Sequence, residues 1–155
     1  MSRRDQIVMT EAEQLDFLGQ ERIVNVATFG PRGWPHLMPL WYVVRDGEIW
    51  VWTYGKSQKV KNLERDDRAT LLIESGDEYQ ELRGVQIEAK AELITEFDTV
   101  FEFAKELTIR YAEGIESIEG DAAEALKAQA SKRVVIRFHP VRTASWDHRK
   151  LGGTY

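Results

Sequence analysis

In the stretch WTYGKSQKVKNLERDD, residues 52–67, Lys56, Lys59 and Lys61 crowd together and no acid precedes Glu64. The 155-residue chain is acidic overall, at net charge −5, so these cations form a local exception. They fall beside Ser57, where a strand gives way to a helix. The first backbone N–H groups of a helix have no intrahelical partners, and the macrodipole adds partial positive charge there. Ser57 and the nearby lysines complete a set of donors suited to an anion, most naturally a phosphate. The competing reading is an ordinary N-cap serine followed by solvated lysines. Lysines in a first helical turn oppose the dipole, which is a cost that a bound anion would remove.

A second constellation is His36-Leu37-Met38-Pro39-Leu40-Trp41-Tyr42. Pro39 donates no ladder hydrogen bond, so it marks an edge, a bulge, or backbone that faces a ligand. Strand alternation puts His36 and Met38 on one side and Pro39 and Trp41 on the other. A third is the C-terminal segment from Ser145 to Tyr155, whose Trp146 either packs against a neighbouring site or belongs to a frayed terminus. No metal site is expected: His36, His139 and His148 lack ligand spacing, and there are no cysteines. HExxH, GxSxG and GxGxxG are all absent. No catalytic acid or base can be singled out.

The elements that would position these groups follow from pattern. Thr10 to Glu13 is a capping box opening a helix over 11–18, with Gly19 as its stop. Residues 22–29 and 35–45 read as strands, and Asp46-Gly47 as a hairpin turn into a third strand, 48–54. Val60 and Leu63 face inward from a short helix after the lysines. Strands follow at 69–75 and 85–93, the second alternating cleanly. Thr95 and Asp98 read as a capping box for the longest helix, with Phe97, Val100, Phe101, Ala104, Leu107 and Tyr111 as its apolar stripe. Gly114 reads as its stop, and Asp121 as the cap of a second helix through about Ala130. A sixth strand, 133–138, ends at His139-Pro140, and a short seventh runs 142–147. The class is mainly β with helices: six to seven mostly antiparallel strands in a small barrel.

Totals narrow the function. A chain of 17.9 kDa fits one domain over 1–155. The acidic balance argues against nucleic-acid binding. No apolar run approaches the length of a membrane span, and no signal peptide is read, so no membrane partner and a cytoplasmic location are expected.

Together, "GWPHLMPLWY", "GEIWVWTYGKSQKVKNLERDDRATLLI" and "LRGVQIEAKAEL" resemble, over roughly residues 10–147, the FMN-binding split-barrel superfamily. That superfamily includes pyridoxamine 5′-phosphate oxidases and the deazaflavin (coenzyme F420)-dependent oxidoreductases. The resemblance implies a split β-barrel, an obligate-type homodimer, and a cofactor at the subunit interface. It implies that Ser57, Gln58 and Lys59 grip the cofactor phosphate, with Lys56 as auxiliary. It matches Trp52-Thr53 to the strand-end pair, and sets Thr53 and the backbone of His36, Leu37, Met38 and Pro39 at the ring edge. Trp41 and Trp146 would wall the substrate side. Residues 96–131 resemble a helical insertion of the F420 branch, and 148–155 form a C-terminal tail. Basic positions that help hold FMN in pyridoxamine phosphate oxidases correspond to Met38 and Val43, and Gly84 replaces their flavin-contacting Gln. These departures favour F420 over FMN. The implied activity is F420H2-dependent hydride transfer to a flat, electron-poor molecule. The alternatives are an FMN-dependent oxidase or reductase, and a non-catalytic cofactor- or haem-binding barrel.

Overall fold

The chain begins with two helices, α1 (Arg3–Ile7) and α2 (Glu11–Gln20), in a computed structural model that describes residues 2–153. The Thr10 capping box forms as expected: its hydroxyl accepts from Glu13 N, and Glu13 accepts from Thr10 N at 2.7 Å. Gly19 does not stop α2, which runs on to Gln20 with Glu21 at its C-cap. The following elements are β1 (Ile23–Phe29), β2 (Pro35–Trp41), β3 (Val43–Arg45), β4 (Glu48–Tyr54), α3 (Gln58–Arg65), β5 (Arg68–Ser75), β6 (Arg83–Ile94), α4 (Phe97–Tyr111), α5 (Gly120–Ala130) and β7 (Arg133–Asp147). Asp46 and Gly47 both take positive φ, 51° and 76°, as a tight hairpin between β3 and β4 requires.

The seven strands form one antiparallel sheet in the order β2-β1-β5-β6-β7-β4-β3. Strands β2 and β3 lie at opposite edges, yet only Tyr42 separates them. The sheet must therefore curl until its edges meet, and β2 does come against β4. This is the split barrel.

The expected single strand over 35–45 is thus two strands. Tyr42 is fully buried at the crossing, and its hydroxyl donates to Leu18 O at 2.6 Å. The backbone there pairs with no strand. The Tyr111 hydroxyl serves it instead, accepting from Tyr42 N at 3.1 Å and lying 2.9 Å from Tyr42 O. Pro39 is accommodated because β2 is an edge strand whose only ladder partner is β1.

The inner face buries Val24, Val26, Leu71, Ile73, Val85, Ile87, Ile136 and Phe138 as the main core. Each such side chain contributes about 1.5–3 kcal/mol by burial. The outer face of β3, β4 and β7 carries a second core with α4 and α5: Val43, Val100, Phe103, Leu107, Ala130 and Val135. Phe103 was not in the expected stripe, and Phe97, which was, is 42% exposed. The cap of α4 is Glu96, whose carboxylate accepts from Thr99 N at 3.3 Å, rather than Thr95. Glu119 occupies the N-cap of α5, and Asp121 lies in its first turn.

His139-Pro140 does not end the sixth strand. Strand β7 continues to Asp147, and what reads as a seventh strand is its second half. Pro140 pairs with Ala89 and Arg142 with Glu88, which leaves Val141 bulged out. A bulge is one of the few places where a sheet tolerates proline.

Candidate functional site

The lysine cluster divides. Lys56 and Lys61 are exposed, as the solvated-surface reading has it. Lys59 is buried, at 7% exposure. Its Nζ donates to Thr53 Oγ1 at 2.9 Å, and Thr53 is itself buried on the inner face of β4. Among the described residues no carboxylate pairs with Lys59. Burial, with Arg133 adding like charge, pushes its pKa below the ordinary lysine value. A desolvated ammonium whose one polar contact is a neutral hydroxyl lacks its counter-ion.

The helix end beside it is equally open. Ser57 takes the N-cap position of α3 with extended backbone, but its side chain makes no cap bond. Ser2 and Thr10, by contrast, both close capping boxes. The first turn of α3 holds no acid. Its donors, the Ser57 hydroxyl and Lys59 thus converge with no anion among them. Further along the buried side, Asn62 donates to Thr28 Oγ1 at 3.0 Å and accepts from Gln58 Nε2 at 2.8 Å. Thr28 is in register with His36 of β2, whose Nδ1 is buried without a partner. These features fit a phosphate-bearing cofactor: a cation without an acid, an N-cap hydroxyl that caps no backbone N–H and accepts only from Thr53 Oγ1 at 3.5 Å, and an orphan ring nitrogen on the same inner face.

The other expected residues are dispersed by strand alternation. Met38 shares the inner face with Val26, while Leu37, Pro39 and Trp41 lie on the outer one, all exposed. Trp52 and Thr53 point to opposite faces of β4. Trp41 stacks on Tyr111 with ring centroids 4.4 Å apart, and both line a cavity of about 920 Å³ that Trp52 also lines. Trp146 does not line that cavity; it lies over Gly84, its partner across β6 and β7. A Cβ on Gly84 would clash with Trp146 Cζ2. Gly84→Ala is therefore expected to cost about 1–3 kcal/mol by overpacking, read as a fall in Tm and a shift in tryptophan emission. The tail packs back onto the N-terminal segment, with Lys150 Nζ 2.8 Å from Val8 O. Thr154 and Tyr155 lie outside the described residues.

Sequence reasoning missed Arg133. Its guanidinium lies 4.2 Å from the Trp52 ring and 4.3 Å from the Tyr54 ring, and its Nε is buried without a partner. The alternation of Arg133, Val135 and Arg137 was a usable signal. The pairing of β7 with β4, which brings these residues onto the tryptophan face, was not. No metal-holding cluster of histidine or acidic side chains occurs among the described residues, and no helix there is long and apolar enough to cross a membrane.

Comparison with known proteins agrees with this fold. A conserved hypothetical protein from Mycobacterium tuberculosis is 42% identical, covers 100% of this chain and 95% of its own, and superposes with a TM-score of 0.89. An F420 reductase shares the fold at 18% identity, covering 83% of this chain and 93% of its own, TM-score 0.64. A FAD-binding protein from Mesorhizobium loti does so at 11% identity, covering 89% and 93%, TM-score 0.65. No curated protein matches the sequence significantly. The family described as pyridoxamine 5′-phosphate oxidase matches residues 10–147. With its curled antiparallel sheet closed at Tyr42, the chain belongs to this family, within the FMN-binding split-barrel superfamily.

Proposed function

We propose that the protein is an F420H2-dependent oxidoreductase that passes hydride to a flat, electron-poor small molecule. The observation that carries this reading is Lys59, buried without an acid at the open N-terminus of α3. Lys59, the Ser57 hydroxyl and the first N–H groups of α3 hold the phosphate, with Lys56 and Gln58 at the rim. Thr53 orients Lys59. The backbone of His36 to Pro39 borders the ring edge, since one side of β2 has no ladder partner. When bound, the deazaflavin supplies the hydride; this chain supplies orientation and exclusion of water. The substrate lies toward Trp41, and its proton comes from solvent. Deazaflavin is favoured over FMN because Met38 and Val43 stand where basic residues would be expected to help hold FMN, and Val43 is buried in the second core.

We further propose that the working form is a homodimer. Phe29, Trp34, Leu37, Met38 and Val141 are all exposed by 42% or more around β1, β2 and the β7 bulge, and apolar surface of that kind favours burial against a second copy.

Titrating the protein with F420 should quench its tryptophan emission at micromolar concentrations, whereas FMN should not. Turnover of a panel of quinones, enones and nitroarenes with F420H2 should then follow. A yellow, FMN-loaded purified protein would instead support the flavin enzyme. Tight F420 binding with no turnover of any panel member would support a binding protein.

A further inference from the structure

We infer that the cavity between the outer face of β4 and helices α4 and α5 binds a planar, largely apolar molecule that carries one carboxylate, held by Arg133. That this molecule is the substrate rests on the function proposed above; that such an anion binds here does not.

The cavity measures about 920 Å³, a size typical of small-molecule sites. Trp41, Trp52, Leu107, Tyr111 and Leu126 supply flat and apolar walls. Among the described residues Arg133 is the one cation that lines it. Three arginines rest against the tryptophan rings of β4, and two of them are neutralised. Arg45 pairs with Glu106, and Arg137 pairs with Glu48 at 2.6 Å. Among the described residues Arg133 has no ion pair and no hydrogen bond, and its Nε is buried. Glu116, exposed at the cavity rim, forms no ion pair with it. The Trp52 and Tyr54 rings support the guanidinium plane, so its fork is already oriented. A fixed, half-desolvated guanidinium without a counter-ion matches a carboxylate in geometry and charge. The aromatic walls beside it match a flat hydrocarbon body.

The site opens on the other face of the sheet from the phosphate cradle, although the Arg133 charge is felt at Lys59. Arg133 and Trp52 lie on the outer face of the sheet, whereas Thr53 and Lys59 lie on the inner one.

The test uses the cofactor-free chain and calorimetric titration with naphthoate and with naphthamide, its neutral counterpart of the same shape. Naphthoate is expected to bind about tenfold tighter, the scale of one charge-assisted bidentate contact. Arg133→Gln should abolish that preference and leave naphthamide affinity unchanged. Should Arg133→Gln fail to fold, Ala125 decides. It is an exposed alanine of α5 that lines the cavity. Ala125→Glu should weaken naphthoate binding and Ala125→Lys should strengthen it, each severalfold, with naphthamide unaffected. Lys59→Met should keep the preference for naphthoate over naphthamide, so failure of the phosphate assignment would not be mistaken for failure here. Equal affinity of the two probes for the wild type, no saturable binding, or a folded Arg133→Gln variant that keeps the preference would overturn the inference.

Discussion

Lys59→Met should weaken cofactor binding and stabilise the empty protein at the same time. The two effects have one cause. In the empty chain the Lys59 ammonium is buried against a threonine hydroxyl with no acid beside it, and a buried charge without a partner costs free energy. Methionine fills a similar volume without that cost. With cofactor bound, the same charge faces a phosphate, and a charge-assisted hydrogen bond contributes roughly 1.5–3 kcal/mol. Removing it should lower affinity by about 10- to 100-fold. The empty variant should melt higher by about 2–4 °C for each kcal/mol recovered.

The pH dependence has a definite sign. The folded-state pKa of Lys59 lies below the ordinary value of 10.5. Between the two values the unfolded chain binds more protons, so the lysine's contribution to stability rises with pH across that window. Wild type should gain on Lys59→Met as pH increases toward 10.5. Thermal unfolding of both proteins between neutral pH and that value measures the gap, and a gap that stays constant or widens would contradict the burial argument.

Tyr111→Phe should destabilise the fold with the Trp41 stack intact. The Tyr111 hydroxyl satisfies the Tyr42 N–H at the point where the chain leaves one sheet edge for the other. It also lies 2.7 Å from Arg22 O. Phenylalanine keeps the ring but leaves a buried backbone donor unpaired, at a cost of about 1–3 kcal/mol. Tyr54→Phe is the matched control. Its side chain is exposed and makes no hydrogen bond among the described residues, so a change within about 0.5 kcal/mol is expected. Denaturant unfolding of the pair would show whether the Tyr111 hydroxyl holds the crossing.

The contrast between those two tyrosines also shows what could be read from residue order. Alternation and turn chemistry are local, so the strands, the Asp46-Gly47 hairpin, the Thr10 capping box and the Ser57 helix start were legible before any coordinates. Tyr42 was not. A residue at which a strand changes edges reads like any other apolar strand residue, and its support comes from Tyr111, far along the chain. Pro140 misled for a related reason. His-Pro is a local stop signal, but a bulge opposite Glu88 and Ala89 lets β7 pass through it. On α4, both the barrel face and α5 compete for the apolar stripe, and Phe103 took the place that spacing had given to Phe97. Within the site, the cation cluster was visible, but which lysine would be buried was not. Arg133 stayed hidden because its meaning depends on β7 pairing with β4.

The proposed function stands on Lys59 as the residue that holds a cofactor phosphate. The most direct test is a double-mutant cycle. It measures wild type and Lys59→Met by calorimetry against F420 and against the deazaflavin nucleoside that lacks the phosphate. Wild type is expected to prefer the phosphorylated form by at least about tenfold, and Lys59→Met to lose that preference. The same preference in both proteins would place the phosphate elsewhere and rule out Lys59 as its holder.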